Sequence, residues 1–171
     1  MGQSYKPFDE ILNNNKDRIF NLLFRLTGNY HLTEDLFQEA FLKVYRGLDR
    51  YEGRAKSSTW VYSIALNVYR DYWRRGLKAR FNTGIVDVSS LSDKDPADDP
   101  EAVFIRNEEK AELQRIIVSL KPALRVPVVL FYIEGMAVGE IAIVTGRSES
   151  SIKVALYRAR KILKKGLGRE K

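Results

Sequence analysis

Helical periodicity runs through this chain in two stretches and lapses between them, and that lapse limits the possible folds more than any other feature. Residues 81–100 contain Gly84, Ser89, Ser90, Ser92, Pro96 and Pro100, with little periodicity of either the helical or the strand kind. Glycine and serine leave a backbone loose, and proline interrupts a helix. The segment is therefore expected to be a flexible connection. The chain has 171 residues, enough for one ordinary domain or two small ones. It is expected to be all-α: two small helical domains, residues 1–80 and 101–171, joined by a linker at 81–100.

Charge divides along the same lines. Residues 66–80 carry five basic side chains and one acidic, residues 87–101 six acidic and one basic, and residues 147–171 nine basic and two acidic. Two basic zones thus flank an acidic one, and the formal net charge is +7. A basic balance suits a polyanionic partner such as nucleic acid or an acidic membrane surface, and it also suits an ordinary solvated surface; charge alone weighs these about equally. The absence of cysteine excludes disulfides, thiolate metal sites and cysteine nucleophiles. The lone His31 cannot form a histidine cluster and reads as a loop residue. Residues 1–9 hold no apolar signal core. The longest apolar run, residues 126–133, contains Pro127 and falls far short of the ~20 residues that span a bilayer. The protein is expected to be cytoplasmic, without membrane insertion.

In the first domain Phe8, Ile11, Leu12, Ile19, Leu22, Leu23 and Leu26 recur at helical spacing, and Gly28 ends the run. Thr33 is the expected N-cap of the next helix, with Glu34 and Asp35 in its first turn. Leu36, Ala40, Val44 and Leu48 make its buried stripe, leaving Asp35, Gln38, Glu39, Lys43 and Arg46 facing elsewhere. A loop around Gly53 follows, and Ser58 is placed to cap a helix that buries Trp60, Ile64, Val68 and Tyr72.

The second domain is expected to open at Asp99 as N-cap and Pro100 as first helical residue, with Val103, Leu113, Ile117 and Leu120 inward. Pro122 and Pro127 bracket the following helix, which should begin near Leu124 or bend at Pro127. A short helix over 138–144 precedes Thr145-Gly146, and Ser148 can cap a longer helix to about Lys165. Ile152, Leu156, Ala159 and Leu163 form its buried face, while Ser150, Lys153, Val154, Tyr157, Arg158 and Lys161 lie outside. Two helices, a tight glycine turn and a basic outer face describe a helix-turn-helix, or a plain helical hairpin with a solvated basic surface.

Several segments together resemble one family. Residues 33–41 (TEDLFQEAF) are similar to the polymerase-binding helix of sigma region two. Residues 59–67 (TWVYSIALN) resemble the helix after the promoter-melting loop. Residues 125–135, Glu140-Ile141-Ala142 and residues 157–160 (YRAR) resemble sigma region four. In this order and spacing they resemble the extracytoplasmic-function sigma factors across nearly the whole chain. The resemblance implies a subunit that binds core RNA polymerase, engages promoter DNA at the minus-thirty-five and minus-ten elements, melts the latter, and answers to an anti-sigma factor. It implies core-polymerase contacts at Asp35, Gln38 and Glu39. It implies minus-ten contacts at Tyr51, Gly53 and Asn67, with Arg70 and Arg74 on phosphates and Tyr62, Tyr69 and Trp73 available for stacking on unpaired bases. It implies minus-thirty-five contacts at Ser150, Lys153, Tyr157, Arg158 and Lys161.

The chain departs from the family in places. Val154 and Ala155 stand where a serine and a basic residue are common, so two hydrogen-bonding positions are lost, although apolar side chains can contact a thymine methyl. Arginine at 155 is expected to add a cation toward DNA. Gly139 replaces a helix-favouring polar residue, and Lys121-Pro122 shifts the usual leucine-proline by one position. A sigma-like adaptor that binds an anti-sigma factor but no DNA would have no use for Tyr51, Asn67 and a basic recognition helix. A helix-turn-helix repressor with an unrelated effector domain would leave the aromatic-basic run 69–75 unexplained. An enzyme is the least supported class, since there is no glycine-rich phosphate loop, nucleophile motif or metal cluster and no cofactor is implied. Asp98 and Asp99 read as solvated linker charge.

Overall fold

The computed structural model describes residues 8–82 and 108–166, with side chains defined over 8–76 and 111–166. The linker expected at 81–100 and the helix start expected at Asp99, with Val103, lie outside the described residues apart from the backbone of 81 and 82. The described residues are helical apart from short connections such as 51–56. They form α1 (Phe8–Thr27), α2 (Tyr30–Gly47), a single 3-10 turn (Leu48–Arg50), α3 (Ser57–Asn82), α4 (Glu108–Ser119), α5 (Pro122–Val128), α6 (Val138–Thr145) and α7 (Glu149–Gly166). Helices α1 to α3 pack as one bundle and α4 to α7 as another.

The first bundle follows its apolar stripes. Ile11, Ile19, Leu22, Leu23 and Leu26 of α1 are fully buried, facing Leu36, Ala40 and Val44 of α2 and Val61, Ala65 and Val68 of α3. Burying a side chain of this size stabilises by ~1.5–3 kcal/mol, so the stripes decide the topology. Helix α1 ends at Gly28, whose φ of +65° suits a residue without a Cβ. Helix α2 then begins earlier than the sequence suggested. Asn29 is its N-cap, the side-chain oxygen accepting from the Leu32 N–H at 2.9 Å. Thr33 is buried inside the helix instead. Its hydroxyl donates to the Asn29 carbonyl and shares a hydrogen bond with Thr27 Oγ1, each at 2.7 Å. An asparagine directly after the glycine catches the free N–H groups one turn sooner. His31 consequently sits on the exposed first turn of α2 rather than in a loop.

In the second bundle α5 starts at Pro122, in the first-turn position where the missing N–H costs nothing. Pro127 lies inside α5 and has no N–H for the Ala123 carbonyl four residues earlier. Arg147 supplies it: its Nη1 donates to the Ala123 oxygen at 2.8 Å. Beyond Pro127 the helix widens into a π turn over Val129–Ile133, closed by the Glu134 N–H on the Val129 carbonyl at 3.0 Å.

The two bundles share one contiguous apolar core. The polar part of their seam is built on the last turn of α1, whose carbonyls have no partner within the helix. Gln114 Nε2 donates to the Arg25 carbonyl at 2.9 Å, and Arg125 Nη1 donates to the Leu26 carbonyl at 2.6 Å. Arg125 is 4% exposed. It also donates to the Tyr69 hydroxyl at 3.0 Å and to the Leu120 and Val118 carbonyls, and it lies 5.7 Å from the Trp73 ring centre. Burial lowers its pKa and the neighbouring Tyr69 opposes that, but a guanidinium with these acceptors stays charged. Across the same seam the Tyr62 hydroxyl donates to Glu134 at 2.8 Å.

Candidate nucleic-acid interface

Helix α7 is set up by its termini. The Ser148 hydroxyl accepts from the Ser151 N–H at 3.2 Å, Glu149 lies in the first turn, and Lys164 and Lys165 lie in the last. Each charge complements the helix dipole. The turn before it is a left-handed Gly146, φ +65°, followed by the Arg147 N–H on the Ala142 carbonyl at 3.2 Å. Ahead of the turn, the Glu140 carboxylate reaches back to the Ala137 N–H at 2.8 Å and starts α6. Helix, αL turn and helix therefore form as expected.

Ile152, Leu156 and Ala159 are buried, and Leu163 is partly so. Ser150, Lys153, Val154, Tyr157, Arg158 and Lys161 are all exposed. At helical spacing they form two rows on the outer face: 153, 157 and 161, and beside it 150, 154 and 158. In the first row Lys161 Nζ lies 4.8 Å from the Tyr157 ring centre, a cation–π contact. Ala155 is a correction. It is 2% exposed and packed inward, so an arginine there meets the core rather than DNA.

The second row borders an open notch of about 370 Å³ between α7 and the start of α5. Ala123 and Leu124 form one wall, Val154 and Ala155 the other, with Ser150 and Arg158 beside them. Arg147 closes one end, donating to Ser151 Oγ at 3.0 Å as well as to Ala123; burial lowers its pKa. Sequence reasoning missed Arg147. Pro127 showed that a carbonyl would be orphaned, but not which side chain would serve it.

In the first bundle Asp35 and Gln38 project outward from α2. Glu39 is turned toward α3, where it pairs with Lys43 at 3.1 Å and Arg75 at 3.3 Å. Tyr51 is stacked on Trp60, with ring centres 4.6 Å apart and planes 22° from parallel, and its hydroxyl bonds the Ala55 carbonyl. Gly53 lies in the exposed turn at φ +68° with open space where a Cβ would be. Asn67 and Arg70 are exposed and joined by an Nη2–Oδ1 hydrogen bond of 2.8 Å, and Arg74 lies near Asp71 at 3.6 Å. Tyr62 and Tyr69 are corrections. They are buried in the seam, not offered for stacking, and Trp73 is partly buried with its Nε1 lacking a hydrogen-bond partner. Among the described residues, no group of three or more His, Cys, Asp or Glu side chains is placed to hold a metal, and no helix is long and apolar enough to cross a membrane.

Two family models match: Sigma-70 region 2 over residues 11–79 and Sigma-70 region 4 over residues 110–163. The ECF RNA polymerase sigma factor SigW of Bacillus subtilis (strain 168) is 30% identical over 169 residues, covering 94% of this chain and 88% of SigW. The chain belongs to the ECF RNA polymerase sigma factors. The ECF sigma factor SigE of Mycolicibacterium smegmatis is 32% identical over 157 residues, and this chain spans 60% of its length. The fold agrees with the sigma factor RpoE of Bartonella quintana, solved in complex with the anti-sigma factor NepR, at a TM-score of 0.75 and 19% identity over 96% of this sigma factor and 98% of that chain. CnrH, solved with the cytosolic domain of CnrY, gives 0.67 at 20% identity. As a sigma factor the protein serves promoter-directed transcription initiation.

Proposed function

We propose that this sigma factor reads the minus-thirty-five element with the outer face of α7 and engages the minus-ten element through Tyr51, Gly53, Asn67, Arg70 and Arg74. Core RNA polymerase docks on the α2 face carrying Asp35, Gln38 and Glu39. The observation that carries the reading is α7 itself: a capped helix behind an αL turn, apolar inside and cationic outside, the arrangement that fits a major groove. The protein has no catalysis of its own, acts in the cytoplasm, and is held in check by an anti-sigma factor. Its units are residues 1–80, 81–100 and 101–171.

This reading requires the two bundles to part. From minus thirty-five to minus ten is roughly 25 base pairs, or ~85 Å at 3.4 Å per step. A compact chain of this length has a radius of gyration near 15 Å, so with the seam closed it reaches one element but not both. The 25 residues from 83 to 107 have a fully extended length of up to ~90 Å, enough to bridge the gap once the seam opens. The experiment is reconstitution: the full chain added to sigma-free core polymerase should give specific initiation from genomic DNA, and an Asp35→Lys, Glu39→Lys variant should bind core less well with an unchanged circular dichroism spectrum. Failure of the wild-type chain to direct any specific start would sink the assignment.

A further inference from the structure

The notch beside α7 has an unusual composition for a surface meant to face DNA. Its walls are the side chains of Ala123, Leu124, Val154 and Ala155, which offer no hydrogen-bond donor. Of the polar groups around it, Arg147, Ser148 and Ser150 are held by one another, by Ser151 or by the backbone, while Arg158 is exposed at the rim. Arg147 Nε and Nη2 donate to Ser151 Oγ, and its Nη1 donates to the Ala123 carbonyl. Ser148 and Ser150 share a hydrogen bond of 3.1 Å. A phosphate oxygen at the rim can meet Arg158, but between the apolar walls it would lose water without gaining the donors that replace it. An apolar group loses nothing, and the major groove offers one such group, the C5-methyl of thymine.

The position of the notch matches that guest. Val154 is 48% exposed and stands in the middle of the 150/154/158 row. The neighbouring row offers Lys153 and Lys161 to the phosphates that position the duplex. Beside Val154, the largely buried Ala155 completes that wall with a single methyl group. Two positions that lack hydrogen-bonding capacity thus form one apolar receptor.

We propose that Val154, with Ala155 and Leu124, receives the C5-methyl of one thymine in the minus-thirty-five element and makes this sigma factor select thymine at that position by shape. The proposal rests on α7 being the reading helix. One methyl group moved from water into an apolar site corresponds to about fourfold in affinity, or ~0.8 kcal/mol, and the preference should have that size.

The test uses the reconstituted holoenzyme and two duplex libraries with the same randomised window upstream of a premelted bubble. One library carries thymine in the window and the other deoxyuridine, which differs only by lacking the methyl. The wild-type factor should enrich thymine at one window position by about fourfold over deoxyuridine at the same position. Val154→Ser, an exposed substitution, should bind both libraries with no such difference at that position. Lys153→Ala and Lys161→Ala should weaken binding while keeping it. Equal enrichment of thymine and deoxyuridine by the wild type, with the two lysine variants still weakened, overturns the methyl receptor and leaves α7 as the reading helix. Thymine selection that survives Val154→Ser removes Val154 from the role. If none of the three α7 variants changes selection from either library, the reading helix itself has been misassigned.

Discussion

Helices α3 and α7 have the same kind of sequence and opposite fates. Both interleave aromatic and basic residues: Tyr62, Tyr69, Tyr72 and Trp73 with Arg70, Arg74 and Arg75 on α3, and Tyr157 with Lys153, Arg158 and Lys161 on α7. On α3 the rings turn inward. Tyr69 is 1% exposed and bonded to Arg125, while Arg70, Arg74 and Arg75 remain outside. On α7 the ring faces outward, Tyr157 being 54% exposed beneath Lys161. An aromatic-basic run therefore fixes the outer polarity of a helix but not the task of its rings. What decides that is whether a second element covers the face, and α3 is covered by α6 and by Arg125 of α5.

The comparison breaks first at Arg125. Arg125→Met takes their shared donor from the Leu26, Leu120 and Val118 carbonyls, leaving Leu26 only the Tyr69 hydroxyl at 3.3 Å, and urea unfolding should show a loss of about 3 kcal/mol or more. A loss below about 1 kcal/mol would mean that water satisfies these carbonyls and that α3 is not covered in solution. Next in size is Tyr51→Ala. Removing a ring already stacked on Trp60 should slow open-complex formation five- to hundredfold, for ~1–3 kcal/mol of stacking, with closed-complex binding nearly unchanged. Permanganate reactivity of the minus-ten thymines measures it.

Tyr62→Phe should have a smaller effect, about 1 kcal/mol for the hydrogen bond to Glu134. Its signature is in pH. Burial, with the Glu134 charge second, raises the Tyr62 pKa above its ordinary 10.0, and burial does the same for Tyr69. In both cases the folded chain holds its proton more tightly than the unfolded one. Their contribution is complete below pH 10 and falls as pH rises beyond it. Chemical denaturation between pH 9 and 11 should show declining stability, and less decline in Tyr62→Phe and Tyr69→Phe. The smallest effect belongs to the outward ring. Lys161→Ala should weaken binding to all DNA sequences alike and lower the salt slope by about one, as titrations at several salt concentrations would show.

Much of the fold was legible because it is local. The stripes of α1, α2 and α7, the glycine stops at Gly28 and Gly146 and the Ser148 cap all depend on neighbours within a turn or two. Thr33 was misplaced for a reason equally local, since Asn29 competes for the same free N–H groups. The exposed candidates Asp35, Gln38, Lys153 and Arg158 followed from the same patterns, whereas Asn67 rested on the family resemblance alone. The inward turn of Tyr62 and Tyr69 did not, because it depends on Arg125 and Glu134, more than fifty residues away in the chain. Ala155 was misjudged by its single-turn neighbourhood: it follows Val154 on the outer face, yet one step around the helix points it at α5.

Gly28 joins these two scales. Its φ of +65° ends α1, and a Cβ added there would stand 2.9 Å from Val118 Cγ2 across the seam. Replacing glycine with alanine stabilises a chain only where alanine can adopt the native backbone; at Gly28 it meets both the left-handed φ and the Val118 side chain. One methyl group at Gly28 therefore strains the end of α1 and presses on Val118 of the second bundle, beside the Arg25 and Leu26 carbonyls that the seam side chains hold.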